Sequence, residues 1–314
     1  VRKLADELKR KGHQVSHNLV AALLHEMGYS LQANRKVREG TNHPDRNEQF
    51  EKINRKVRHR ISRQQPVISV DCKKKELVGD FKNSGREWRP KGQPEEVRVH
   101  DFKIKELGKA IPYGVYDLQA NRGTVFVGTT YDTPYFAVDA VEKWWRTEGQ
   151  HRYRNAGHLA ILADGGGSNS SSSRVWKYGL QTRVCDRHGL NVTVAHYPSG
   201  ASKWNPIEHH LFSQISKNWS AKPLAASETA IKYIRSTKTN TGLRVRCRQV
   251  TRQYQKGQTI SPEQMRTLVL TRHHTSPDWN YTRKPKNCQS FLALPLMGET
   301  EGHVAKGIQH WVCY

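Results

Sequence analysis

VISVDC (67–72) is where the chain changes character. Upstream, apolar residues recur at helical spacing among many charges. From Val67 they form a near-continuous run, as a strand buried on both faces requires. The run ends on an acid, Asp71. A second run, HLAILAD (158–164), also ends on an acid, Asp164. Between them IPYGVYDL (111–118) and GTVFVGTTY (123–131) read as a hairpin across residues 119–122, and PYFAVDAVEKWW (134–145) as a helix with Ala137, Val138, Val141 and Trp145 on one face. RVWKYGLQTRVCDRHG (174–189) reads as a helix stopped by Gly189, LNVTVAHYP (190–198) as a strand, and NPIEHHLFSQISKNW (205–219) as a helix. Antiparallel strands followed by strand–helix alternation predict a mixed α/β sheet flanked by helices. In such sheets functional groups gather at strand ends.

Two strand-end aspartates and one helical glutamate, Glu208, form the pattern a two-metal phosphoryl-transfer site needs. Hard divalent cations take carboxylate oxygens, and paired ions clamp the attacking and leaving oxygens of an in-line displacement. Each acid has a plainer reading. Asp71 suits a turn, although Cys72, Lys73, Lys74, Lys75 and Glu76 after it include no Gly, Pro or Asn. Asp164 opens DGGG, good turn chemistry by itself, with Asn169 placed to orient the carboxylate. Glu208 falls third in a helix capped by Asn205 and opened by Pro206, the capping-box position. Its register with Leu211, Phe212, Ile215 and Trp219 turns it toward the sheet instead, where a carboxylate needs a cationic partner. Asp80, Asp117, Asp132 and Asp186 rank lower, and Asp132 in YDTP reads as a turn into the next helix.

Before Val67 the chain reads as helix-turn-helix. Leu4 and Leu8 share a face of the first helix; Ser16 caps the second, which carries Leu19, Val20, Leu23, Leu24 and Met27 in a stripe. Ser16, His17 and Asn18 would open a recognition helix, with the basic segment Arg35, Lys36 and Arg38 behind it. An ordinary helical hairpin is the alternative. The organisation is then a helix-turn-helix DNA-binding region (1–40), a linker helix (41–65), a catalytic domain (66–222), a basic C-terminal region (223–285) and a tail (286–314) of different composition without clear period.

The 52 Lys and Arg against 28 Asp and Glu give a formal charge of +24, which calls for a polyanionic partner. Double-stranded DNA fits, with Lys73, Lys74, Lys75 and Lys203 as further phosphate contacts beside the carboxylates. Five cysteines without C-x-x-C spacing argue against a disulfide framework or zinc ribbon and for a reducing cytoplasm, in association with the nucleoid. No apolar run is long enough for a membrane span, and no signal peptide opens the sequence.

VISVDCKKKE, LADGGGSN and HYPSGASKWNPIEHHLFSQIS, with NHPDRNEQF (42–50) and REWRPKGQPEEVRVHDF (86–102), resemble the DDE transposases of bacterial insertion sequences, most closely the ISAzo-thirteen group. The resemblance spans roughly residues 1–285. It implies a ribonuclease H-like catalytic domain behind a helix-turn-helix region, with Asp71, Asp164 and Glu208 as a catalytic triad holding two Mg²⁺ or Mn²⁺ ions. It implies strand cleavage and transfer at transposon ends, and because transposition joins two ends a dimer or higher assembly on DNA is expected. The alternatives are an inactive DNA-binding relic, and a nuclease of the same fold that cuts without joining.

Overall fold

The computed structural model describes residues 1–32 and 44–286. Arg35, Lys36 and Arg38, and the tail after residue 286, lie outside the described residues. The chain divides into two units, Val1–Gly40 and Thr41–Tyr314. In the first, α1 (Arg2–Arg10) and α2 (His17–Glu26) are joined by a turn through Gly12, which adopts φ +90°, open to glycine at little cost. Ser16 Oγ accepts a hydrogen bond from Leu19 N at 3.1 Å and caps α2. Ala5 and Val20 are the buried apolar contacts of this unit.

In the second unit α3 (Arg46–Ser62) precedes β1 (Val67–Cys72). Then come the short β2 (Glu76–Leu77), β3 (Lys109–Asp117), β4 (Arg122–Gly128), α4 (Pro134–Trp144), β5 (His158–Ala163) and β6 (Asn191–His196). After the helix over 208–218 follow a helix at Ser227–Ser236, β7 (Arg244–Gln249), β8 (Leu270–Arg272) and β9 (Asn280–Arg283). Among the described residues eight strands lie side by side in the order β7-β4-β3-β1-β5-β6-β9-β8, and β2 pairs with β3 off that row. β3 is antiparallel to β1 and β4; β5 is parallel to β1 and to β6. This central order and these directions are ribonuclease H-like. The segment 223–285 contributes β7, β8 and β9 to the same sheet.

Side chains alternate across a strand, and both faces of this sheet are covered. Ile68, Val70, Tyr113, Val115, Leu159 and Ile161 point into one core with Val138, Val141, Trp144 and Trp176. Val67, Ala160 and Leu162 point the other way, into a core with Ile53 of α3. On that second face Val125, Val127 and Val245 pack against Ile207, Leu211, Ile215 and Ile234. Continuous apolar strands are therefore required, and VISV and HLAILA supply them. The helix expected over 174–189 forms with a π-turn at Leu180–Cys185 and ends at Gly189, φ +65°. Within the basic region Arg244–Gln249 pairs as a strand, with its arginines exposed and Val245 and Cys247 buried.

Candidate active site

Asp71 lies on β1 opposite Gly114 of β3. Val70 pairs with Ala163 of the parallel strand β5, so the next residues, Asp71 and Asp164, leave the same end of two adjacent strands. By alternation Asp71 shares the face of Val67 and Ser69, and Asp164 the face of Ala160 and Leu162. The helix over 208–218 covers the β3–β4 half of that face, next to β1. It approaches closely because β3 and β4 offer glycine beneath it. A Cβ on Gly114 would lie 2.7 Å from Ile207 Cδ1 and Phe212 Cε1, and one on Gly123 would lie 2.4 Å from Leu211 Cδ1. Gly114 is thus both the register partner of Asp71 and the bed of the helix that carries Glu208.

The capping box expected at Asn205 and Glu208 does not form. Asn205 is fully buried and turns its side chain to β1, where Oδ1 accepts from Ser69 Oγ and Nδ2 reaches the Val70 carbonyl at 3.4 Å. Ser69 Oγ accepts from Ile207 N at 3.1 Å, so a strand hydroxyl caps the first turn. Glu208 is left free to face the site. The chain winds as a π-turn over Glu208–Phe212, an irregularity often found where a side chain must be aimed.

The three carboxylates oppose one another's ionisation. Burial, then the Asp164 charge, then Glu208 raise Asp71 well above the usual carboxylate range, against a 2.7 Å hydrogen bond that Asp71 Oδ1 accepts from Cys72 N. Burial raises Asp164 and Glu208 as well. Lys73 pulls Glu208 the other way, and is itself buried, paired with Glu76 Oε1 at 2.5 Å and lying over Trp219 at 4.7 Å.

Asn169 sits near enough to favour the Asp164 charge, yet Asn169 Nδ2 and Asp164 Oδ1 are each buried without a hydrogen-bond partner. Asn169 is fixed from elsewhere. Tyr113 Oη donates to its Oδ1 at 2.6 Å, and His196 Nε2 lies 2.8 Å from its carbonyl. Burial lowers His196 to about 4, so its ring is neutral at pH 7 and donates to only one of the Asn169 and Trp279 carbonyls it faces.

Asp132, ranked low on sequence grounds, joins this group. It does precede α4, whose cap is Thr133, but its charge also raises Asp71 and Asp164. Its Oδ1 is buried without a partner, and Oδ2 lies 3.8 Å from Lys75 Nζ. Periodicity could not find it. The signal was topological: β4 runs parallel to β1, so the turn after β4 returns to the edge where Asp71 ends.

These acids suit a divalent metal by chemistry: hard oxygen donors, crowded negative charge and an orphaned carboxylate oxygen at Asp164. Among the described residues no three His, Cys, Asp or Glu side chains are already gathered closely enough to hold one ion. Asp164 and Glu208 are nonetheless close enough to Asp71 for their charges to raise its pKa.

The family profile described as Rhodopirellula transposase DDE domain matches residues 1–285. The chain belongs to this family. No curated protein matches this DDE-domain chain. Among solved structures it is similar to the Mos1 strand transfer complex, at 18% identity and a TM-score of 0.43, over 74% of this chain and 64% of that one. It is also similar to the Mos1 mariner paired-end complex with Mn, at 17% identity and a TM-score of 0.40, over the same shares. The DDE-domain chain therefore spans less than two thirds of the Mos1 chain.

The other residues singled out in this DDE-domain chain are spread over both units. His17 and Asn18 are exposed at the start of α2, and Ser16 is occupied by its cap. Lys74 and Lys75 are exposed beside the carboxylates. Lys203 is exposed, its carbonyl bonded to His209 Nε2 and its ammonium 5.9 Å from the Trp204 ring. His210 stacks on Tyr116 with ring centroids 5.4 Å apart. Asp117, by contrast, is structural, fully buried beneath Arg152 and Tyr153. No helix among the described residues is long and apolar enough to cross a membrane.

Proposed function

We propose that this chain is a DNA transposase that cuts and joins phosphodiester strands at the ends of an insertion sequence, acting on the chromosome in the cytoplasm. The observation that carries this is the meeting, at one sheet edge in a DDE-domain chain, of two strand-end aspartates and a helical glutamate whose charges repel. Asp71, Asp164 and Glu208 are the residues that would hold two Mg²⁺ or Mn²⁺ ions. Such ions, when bound, supply Lewis-acid activation of the attacking water or 3′-hydroxyl and stabilise the leaving oxygen.

The chain's own groups prepare that site. Ser69 and Asn205 lock the Glu208 helix to the strand of Asp71. Lys73 offsets part of the negative charge at Glu208. Lys74, Lys75 and Lys203 offer ammonium groups to the phosphate backbone, and His17 and Asn18 lie where a recognition helix reads bases. For this chain we read a dimer or higher assembly on paired ends, since joining requires two ends.

The test is a labelled duplex carrying the element's own end, incubated with and without Mg²⁺ beside the Asp71→Ala and Glu208→Ala variants. Metal-dependent nicking followed by joining, lost in both variants while DNA binding persists, supports the transposase. Nicking without joining indicates a nuclease, and binding without nicking a DNA-binding relic.

A further inference from the structure

Between β1 and β3 the chain spends residues 73–108 on a long excursion that adds only the two-residue strand β2 to the sheet. With the helix of Glu208 it encloses a groove of about 620 Å³. Lys73 forms its inner end, two residues from Asp71. Lys74, Lys75, Lys82, Lys103 and Lys109 line it with two acids, Glu76 and Asp101, and Trp219 forms part of its floor. Lys73 is ion-paired with Glu76 and packed on Trp219. Of the five other lysines Lys75 lies 3.8 Å from Asp132 Oδ2, while Lys74, Lys82, Lys103 and Lys109 are exposed without an ion-pair partner among the described residues. Unpaired like charges held along one groove repel one another, and a polyanion relieves that repulsion.

The same wall carries an exposed aromatic residue. Phe102 is 77% exposed, with the His100 ring 5.5 Å away. An open ring amid lysines is the combination that binds unpaired nucleotides, because a base lies on the ring while ammonium groups follow the phosphates. Duplex DNA keeps its bases stacked on one another and offers no free base face to Phe102.

The geometry points to a single-strand channel: the groove between the 73–108 excursion and the Glu208 helix binds an unpaired DNA strand leading away from the carboxylates. This rests on the transposase reading for its biological role but not for its chemistry. Ser216 and Trp219, eight and eleven residues beyond Glu208, border the groove. At 1.5 Å per residue they place it about 12–16 Å along the helix from Glu208, roughly three nucleotides' reach.

The test is fluorescence anisotropy with a labelled oligo-dT strand and with a duplex of equal length, across a salt series without divalent metal. Lys82→Gln, Lys103→Gln and Lys109→Gln are combined in one variant, and Phe102→Ala is made separately; circular dichroism checks the fold of each. We expect oligo-dT affinity to fall at least about tenfold in the triple variant, and its log–log salt slope to lose about 2, given roughly 0.7 per neutralised phosphate on single strands. Phe102→Ala should weaken oligo-dT about tenfold with the salt slope unchanged. Duplex binding should change less than twofold in both. Oligo-dT affinity within twofold of the parent in both variants overturns the channel, as does an equal loss for duplex and single strand. If the parent nicks transposon ends while these variants bind oligo-dT normally, the channel falls and the transposase stands. If the channel binds but the parent never nicks, the reverse holds.

Discussion

Ser69 Oγ and Asn205 Oδ1 share a hydrogen bond in the fully buried seam between β1 and the helix over 208–218, and Ser69 Oγ also accepts from Ile207 N. One strand hydroxyl therefore sets the distance between Asp71, two residues along β1, and Glu208, one residue beyond Ile207.

Asn205→Ala should cost about 1–3 kcal/mol, because it leaves the Ser69 hydroxyl buried without its acceptor and removes the contact to the Val70 carbonyl. Urea unfolding measures this. End nicking should fall more than the fraction folded does, since the acids lose their mutual spacing. An Asn205→Ala protein with parental stability and nicking would remove the seam from the mechanism.

Much of this was readable in the sequence because burial on both faces writes itself as an unbroken apolar run. VISV and HLAILA gave strands, and the inward register of Leu211, Phe212 and Ile215 gave the helix face. Asn205 was misread because local capping chemistry, N-P-x-E, competes with a partner 136 residues away that no local pattern displays. Asp132 was underrated for the same reason, since its approach to Asp71 follows from strand order. Strands β8 and β9 were not legible because they are short and partly polar, with too few residues to display a period.

His196 makes stability depend on pH. Its folded pKa, about 4, lies below the ordinary value of 6.5 because burial disfavours the charged ring. The unfolded state therefore binds the proton first as pH falls. The contribution is fully present above pH 6.5 and is lost between 6.5 and 4, about 3 kcal/mol across that window. His196→Gln, which cannot titrate, should lose correspondingly less stability from pH 7.5 to pH 4.5. Equal losses in parent and variant would contradict it.

Arg283 is fully buried on β9, and among the described residues none of its three guanidinium nitrogens has a hydrogen-bond partner. The Tyr281 ring lies 5.7 Å from Cζ. A desolvated charge without a counter-ion destabilises the fold. Arg283→Met, which keeps a similar stem, should stabilise by about 1–3 kcal/mol. Thermal melting reads it, and a lower Tm would show that the guanidinium is solvated or paired in solution.

Asp132→Asn removes a fourth negative charge from the acidic edge while retaining its shape. With less field to attract a cation, the Mg²⁺ concentration giving half-maximal nicking should rise several-fold, equivalent to about 1 kcal/mol. The rate at saturating Mg²⁺ should stay within a few-fold of the parent. An unchanged metal midpoint would reduce Asp132 to the turn before α4.

Asp71→Asn separates the metal site from the fold without any measurement of cleavage. Burial and the charges of Asp164 and Glu208 raise the folded pKa of Asp71 above its unfolded value. The unfolded state therefore releases its proton first as pH rises. Metal-free protein then loses stability from the usual carboxylate range upward through the raised pKa. At pH 7.5 without divalent ions Asp71→Asn should melt above the parent, because Asn is spared the proton uptake that burial and the neighbouring charges impose on Asp71 when the chain folds. Adding Mn²⁺ should reverse the order. An ion bound only by the folded state stabilises by about 2.7 kcal/mol at a hundred times its Kd. The parent should gain that increment, while Asp71→Asn should gain little. If Mn²⁺ shifts both Tm values equally, the ion binds elsewhere and Asp71 is not a ligand.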